Sequence, residues 1–350
     1  MQEIDKTKPV MVTGGSGYLA SWIIKKLLEK GLSVNATVRD PDNDQKVGHL
    51  KALEQASTGK LNLFRADLLE KGSFHEAMQN CELLIHTASP FFVTGIKNSE
   101  EELIRPAKEG TRNVLMSAKQ NPNVKRIVLT SSVVAMFGDN ADIELTANGV
   151  FTEKDWNVTS SADHQPYSYS KTVAEKEAWA IAEQQDQWDL VVINPAWILG
   201  PSATTRVDSM SIATMIEFGN GAYKNGVPRI WTCIADVRDV ATAHIKAGFT
   251  PKASGRHIIV SAEATLLDIG RILRKHFGDD YPFPKKEAPK FLFWLVAPMY
   301  DRTRKYVSRN VGFQFKFDNS YSKRDLGISY INIEQTIKEH FQQILDDGLL

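Results

Sequence analysis

Val10-Met11-Val12-Thr13-Gly14-Gly15-Ser16-Gly17-Tyr18-Leu19-Ala20 opens the informative part of the chain. It reads as an apolar strand, a glycine-rich turn and the start of a helix. Gly14 allows a tight turn, Gly17 lets backbone approach a pyrophosphate, and small Ala20 lets the helix lie close to the strand. A helix N-terminus placed there offers N–H groups and the positive end of its dipole to phosphate. The helix, read over residues 18–30, carries Leu19, Ile23, Ile24, Leu27 and Leu28 on one face, with Gly31 as its C-cap. A glycine pattern alone is weak, and a turn kept for packing is the competing reading. The strand before it and the amphipathic helix after it favour dinucleotide binding.

Working outward, apolar runs at residues 33–38, 61–66, 82–86, 124–130 and 190–194 read as strands. Helical stretches at 73–79, 100–119 and 167–184 separate several of them. Such alternation with continuously apolar strands predicts an α/β fold, a doubly wound parallel Rossmann sheet covered on both faces. After Gly200 the pattern loosens, although 237–248 reads as a helix and 256–261 as another strand. The expected division is a dinucleotide-binding domain over 1–200, completed by about 235–262. Residues 201–234 and 263–350 then form a smaller C-terminal substrate-binding lobe.

Composition narrows the function classes. The 350 residues hold 42 Lys and Arg against 42 Asp and Glu. Zero net charge removes the electrostatic footprint of a nucleic-acid binder. Cys81 and Cys233 are the only cysteines, too few for a disulfide scaffold and without a C-x-x-C pair. No metal is expected, and a reducing compartment, the cytoplasm, fits best. The polar start has no signal-peptide core. The longest apolar run, residues 291–300, is half the roughly 20 residues a bilayer span needs. It reads as a buried or interfacial helix, and a membrane partner is not expected.

The second strand ends at Arg39-Asp40, with Lys46 a short loop away. An Arg in this place accommodates the 2′-phosphate of NADP, whereas a lone carboxylate would hold the ribose of NAD. Two cations, one with a planar fork, favour NADP(H) over NAD(H). Asp40 can instead begin the turn at Pro41. Asp67, closing the third strand, can accept from an adenine amino group or cap locally. Thr87-Ala88-Ser89 closes the fourth with small residues.

Tyr167 and Lys171 are four apart at the start of a helix, hence on one face. A cation there, with an oxidised nicotinamide nearby, is expected to lower the tyrosine pKa from about 10 towards the range useful for proton transfer. Tyr281 and Lys285 share the spacing, but Pro282 and Pro284 keep that segment from being a helix interior. Thr130-Ser131-Ser132 ends the fifth strand, where open α/β sheets place ligands. Successive side chains alternate in direction, so one of the two serines points inward.

Taken together, VTGGSGYLASW (12–22), ATVRDP (36–41), Asp67-Leu68, TSS (130–132), YSYSKTVAEKEAW (167–179) and NPAWILGP (194–201) resemble a known family. The chain looks like an extended short-chain dehydrogenase/reductase of the dihydroflavonol-4-reductase-like group, which includes cinnamoyl-CoA reductases and aldehyde or ketone reductases. The resemblance implies Ser132 as catalytic serine, Tyr167 as proton donor and Lys171 as ribose-binding lysine. It implies cofactor contacts from Ser16, Tyr18, Leu19, Arg39, Lys46, Asp67, Leu68, Thr87, Ala88, Ser89, Pro195, Ile198 and, more weakly, Ser209. Ala20 stands where a third Gly is frequent, and Ala107 where many short-chain enzymes carry the Asn of N-x-x-G.

The expected activity is NADPH-dependent reduction of an aldehyde or ketone, aromatic or flavonoid-like, to an alcohol. Phe91, Phe92, Phe137, Trp197, Tyr223 and Trp231 are candidates for the substrate cleft, each with core packing as its alternative. A homodimer through helices flanking the sheet is expected on family grounds. The rival readings are an NAD-dependent sugar-nucleotide epimerase, a hydroxysteroid-type dehydrogenase on the same fold, and a non-catalytic NADP sensor.

Overall fold

The computed structural model describes residues 3–89, 96–204, 207, 209–300 and 302–350. The chain alternates β1 (Val10–Thr13), α1 (Tyr18–Leu28), β2 (Ser33–Val38), α2 (Asp44–Gln55), β3 (Lys60–Arg65) and β4 (Leu83–His86). It continues through α3 (Arg105–Lys119), β5 (Arg126–Thr130), α4 (Pro166–Ala182) and β6 (Asp189–Pro195). Beyond these lie β7 (Trp197–Leu199), α5 (Met210–Asn220), β8 (Val227–Pro228), β9 (Trp231–Asp236), α6 (Val237–Phe249) and β10 (Gly255–Ile259). The C-terminal part adds β11 (Ala262–Thr265), α7 (Leu266–Phe277), β12 (Glu287–Ala288), α8 (Lys290–Val296), α9 (Arg304–Asn310), α10 (Ser320–Leu326) and α11 (Ile333–Asp346).

Seven strands form one parallel sheet in the order β10-β6-β5-β4-β1-β2-β3. The period of two along each strand divides the core. Val10, Val12, Val128 and Val191 face α1, α2 and α6 on one side. Their neighbours Met11, Ile127, Leu129 and Val192 face α3 and α4 on the other. Chain order reverses between β1 and β4, which makes the carboxyl ends of these strands the topological switch point, where such sheets bind ligands. Buried Arg126 fastens β5 to β6 through a two-pronged pair with Asp189 and donates to the carbonyls of Ala247, Thr250 and Pro251.

One helix is corrected, one helix went unread, and one open reading is narrowed. Residues 73–79 form turns rather than a helix, although Phe74, Ala77 and Met78 are buried at helical spacing. Positive φ at Gly72 and Asn80 confines the segment to a length that cannot propagate a helix. Lys46 lies a short loop after Arg39, in the first turn of α2, a helix the sequence did not announce. Helix α2 buries only Val47 and Leu50, too little periodicity to read. Of the two readings of 291–300, burial does not hold for α8: none of its residues is buried and Phe291 is 64% exposed, whereas Ala297 just beyond it is buried against Val307 and Val311.

A second sheet, β11-β9-β7, and the helices α5, α7 and α11 enclose a separate cluster that includes Met215, Phe218, Leu273, Phe283 and Phe341. No helix among the described residues is long and apolar enough to cross a membrane.

Candidate active site

The glycine turn is built so that side chains are kept out of it. Gly14 has φ +67°, and a Cβ on it would lie 3.1 Å from the Cα of Ala88. A Cβ on Gly15 would lie 3.0 Å from that of Ala36. Gly17 is the N-cap of α1, with no side-chain cap and no acidic residue in the first turn. The leading N–H groups of the helix are thus not met by a carboxylate of their own first turn, and the site fits a dinucleotide phosphate.

Thr13 knits the turn to β4. Its hydroxyl contacts His86 Nδ1 at 2.8 Å and accepts from the N–H groups of Thr87 and Ala88. The Thr87 hydroxyl donates back to the Thr13 carbonyl at 2.5 Å. Burial pushes His86 down to about 3, so its ring is neutral. Gly14→Ala is expected to cost about 1–2 kcal/mol through the left-handed backbone, and to weaken cofactor binding because Ala88 must move. Gly31, at φ +74° with only the Thr58 hydroxyl near, is the comparator. Chemical unfolding should show a loss for Gly31→Ala too, while a cofactor titration changes only for Gly14→Ala.

The other expected cofactor residues are spread over the ends of β2, β3 and β6, over β7, and over the starts of α1, α2 and α5. Arg39 and Lys46 are exposed. Asp40 accepts from the Asp42 N–H and starts the turn. Asp67 accepts from the Leu69 N–H, a turn cap with no helix behind it. The Leu68 carbonyl is taken by Asn113 Nδ2 at 2.8 Å. The Leu19 side chain packs into the core, so only its backbone can meet a ligand. The Tyr18 hydroxyl donates to the Gly200 carbonyl. Ser16 is half-buried in the turn, Pro195 is buried at the end of β6, Ile198 is half-buried on β7, and Ser209 caps α5.

Helix α4 begins with Pro166 at its first position, which pre-sets φ for the helix. Gln165 before it adopts φ 57°, an uncommon conformation for a residue other than glycine. Lys171 Nζ lies 6.0 Å from the centroid of the Tyr167 ring and donates to the Ser89 hydroxyl at 3.0 Å. Burial pushes Lys171 down to about 8, against the attraction of Glu175. Tyr167 departs from expectation: desolvation raises its pKa above the ordinary value. At this separation the cation does not offset that desolvation.

Ser131 and Ser132 face opposite ways. The Ser131 hydroxyl donates to Glu175, while the Ser132 hydroxyl accepts from the Val134 N–H and lies 3.4 Å from the Pro195 carbonyl. Sequence reasoning missed Glu175. It is 1% exposed and holds Arg256 Nε at 2.6 Å, Asn194 Nδ2 at 2.9 Å and Trp179 Nε1 at 3.3 Å. Asn194 also donates to the Ser132 carbonyl, so this carboxylate braces both serines. A carboxylate four residues beyond Lys171, on the same helix face, was the available signal.

Of the substrate candidates, Phe137 is a correction. It is 7% exposed and packs among Phe151, Phe315 and Phe317 with ring centroids 5.2–5.7 Å apart. Those partners come from distant segments and draw it into the core. The Tyr223 hydroxyl donates to Glu217, and its ring meets Phe218 edge-on. Trp197 and Trp231 are half-buried on β7 and β9. Phe91 and Phe92 lie outside the described residues. Tyr281 and Lys285 do not pair: Tyr281 packs on Phe341, and Lys285 binds Asp279. Cys81 and Cys233 are unbridged, and burial pushes both thiols up to about 12, away from thiolate chemistry.

A doubly wound sheet with a glycine turn at its switch point, and a tyrosine and lysine one helical turn apart beside it, defines a dinucleotide-dependent enzyme class. Residues 10–260 match the NAD dependent epimerase/dehydratase family. Cinnamoyl-CoA reductase 1 of Petunia hybrida is 37% identical over 97% of this chain and 93% of its own length. An anthocyanidin reductase ((2S)-flavan-3-ol-forming) of Vitis vinifera is 36% identical over 90% and 94%. The crystal structure of yeast methylglyoxal/isovaleraldehyde reductase Gre2 complexed with NADPH superposes with a TM-score of 0.78 at 26% identity, covering 98% of this chain and all of that one. The chain belongs to the NAD dependent epimerase/dehydratase family, the extended short-chain dehydrogenase/reductases, and falls in its dihydroflavonol-4-reductase-like group. It is an oxidoreductase.

Proposed function

We propose that this enzyme reduces an aldehyde or ketone, aromatic or flavonoid-like, to an alcohol with NADPH. The observation that carries the reading is the placement of Tyr167 and Lys171 on α4, next to the end of β5 where Ser132 turns away from Glu175. The glycine turn, Thr87–Ser89, Pro195 and Ile198 would hold the dinucleotide. Arg39 and Lys46, exposed and without an ion-pair partner among the described residues, suit a 2′-phosphate. Bound NADPH supplies the hydride taken up by the carbonyl carbon.

The chain's own groups do the rest. Ser132 donates to the carbonyl oxygen and orients it. Tyr167 gives that oxygen its proton. The raised pKa keeps Tyr167 protonated, which suits a donor. Lys171 holds the ribose hydroxyls and keeps a positive charge beside the phenol. In this reading residues 1–200 with 235–262 carry the cofactor, and 201–234 with 263–350 shape the substrate cleft.

The pH dependence follows from Lys171. Its cation exists below its pKa, so function is complete below about 8 and is lost as pH rises through that value. The profile of kcat/KM for NADPH, which reports groups of the free enzyme, should fall about tenfold per pH unit above it. Tyr167→Phe should leave this limb in place, and a limb near the ordinary lysine value would contradict it.

NADPH consumption, followed by absorbance against aldehydes, diketones and dihydroflavonols with NADH in parallel, tests the function. Turnover faster with NADPH is expected. No turnover with any carbonyl, together with NAD retained through purification, would instead favour the epimerase.

A further inference from the structure

Eleven large apolar side chains stand exposed among the described residues, and five of them fall within residues 291–299: Phe291, Leu292, Leu295, Val296 and Met299. Met299 is 83% exposed. Only Phe293 and Trp294 lean inward, onto Ala297, Val307 and Val311, which fixes α8 against α9. A contiguous apolar surface of this kind marks a place where something binds.

Its rim is strongly cationic. Residues 285–309 hold seven Lys and Arg against two Asp and Glu, in a chain whose net charge is zero. Lys285 and Arg309 pair with carboxylates outside the segment, and Glu287 pairs with Arg229. Lys286, Lys290, Arg304 and Lys305 remain exposed with no carboxylate partner among the described residues. The Arg304 guanidinium stacks on the Trp294 ring at 4.4 Å, which places a cation directly beside the apolar face.

We propose that this surface docks on an anionic lipid bilayer, with the apolar side chains entering the boundary between headgroups and acyl chains and the cations meeting headgroup phosphates. The seven-residue helix lies on the membrane and does not span it. Charge also argues against a second copy of the chain, because a two-fold interface would set this positive patch against itself.

Flotation of the full-length protein with vesicles tests the inference. Binding is expected to phosphatidylcholine vesicles containing about 30 mol % phosphatidylglycerol, and weaker binding to phosphatidylcholine alone. About 0.5 M salt should reduce it. Phe291→Ser with Leu295→Ser should lower vesicle binding at least about tenfold, because both apolar anchors are lost. Both residues are exposed, so an unchanged unfolding midpoint in urea shows that the double variant is folded. Failure to float with anionic vesicles, or flotation unchanged in the double variant, overturns the proposal. So does a wild-type dimer that the double variant converts to monomer, or capture of an acidic protein in place of lipid.

Discussion

Replacing Tyr167 by Phe is expected to lower turnover about 100- to 10,000-fold, the usual worth of a positioned proton donor. NADPH affinity should stay largely intact. Only the hydroxyl is removed, and Lys171 keeps its bond to Ser89. Steady-state rates and a fluorescence titration of NADPH on the same preparation measure the two quantities. Equal losses in rate and affinity would make Tyr167 a packing residue. Unchanged turnover would show that Tyr167 does not donate the proton. The expectation rests on desolvation, which holds the phenol protonated until an oxyanion develops next to it.

Glu175→Ala is expected to destabilise the fold by about 3–5 kcal/mol, because removing one partner leaves the other charge buried and unpaired. Arg256 is 7% exposed and stacks on Trp156 at 4.0 Å, so it cannot turn to solvent without opening that contact. Its Nη1 donates to the carbonyls of both Glu153 and Asp155, and its Nη2 lies 3.4 Å from Glu175. The same substitution frees Ser131 and Asn194, so the Ser132 backbone should loosen and kcat fall as well. The double variant Glu175→Met with Arg256→Met removes both charges and should recover much of the stability. The unfolding midpoint in urea measures this. A change below about 1 kcal/mol for Glu175→Ala would show that the pair is not buried in solution.

The first half of the fold was legible because parallel strands covered on both faces are short, uninterrupted apolar runs. Strand β7 was not, since Ala196 alone separates it from β6 and the apolar run looks continuous. Its partner β9 lies across α5, and no local pattern announces that pairing. At the site, the Tyr167–Lys171 spacing is visible because four residues make one turn. Strand alternation alone left Ser131 and Ser132 open and only the resemblance named Ser132, because which one reaches Glu175 depends on another element. Glu175 itself depends on Arg256, 81 residues further on. Phe137 reads as a cleft residue locally, and Phe315 and Phe317 make it core.

The most direct test uses NADPH carrying deuterium at the transferring C4 position, with the best carbonyl substrate in ordinary water. The account predicts an alcohol with one deuterium on the carbinol carbon, none on oxygen, and NADP+ in equal amount. Product without deuterium, or a sugar nucleotide inverted with no NADPH consumed, would contradict it.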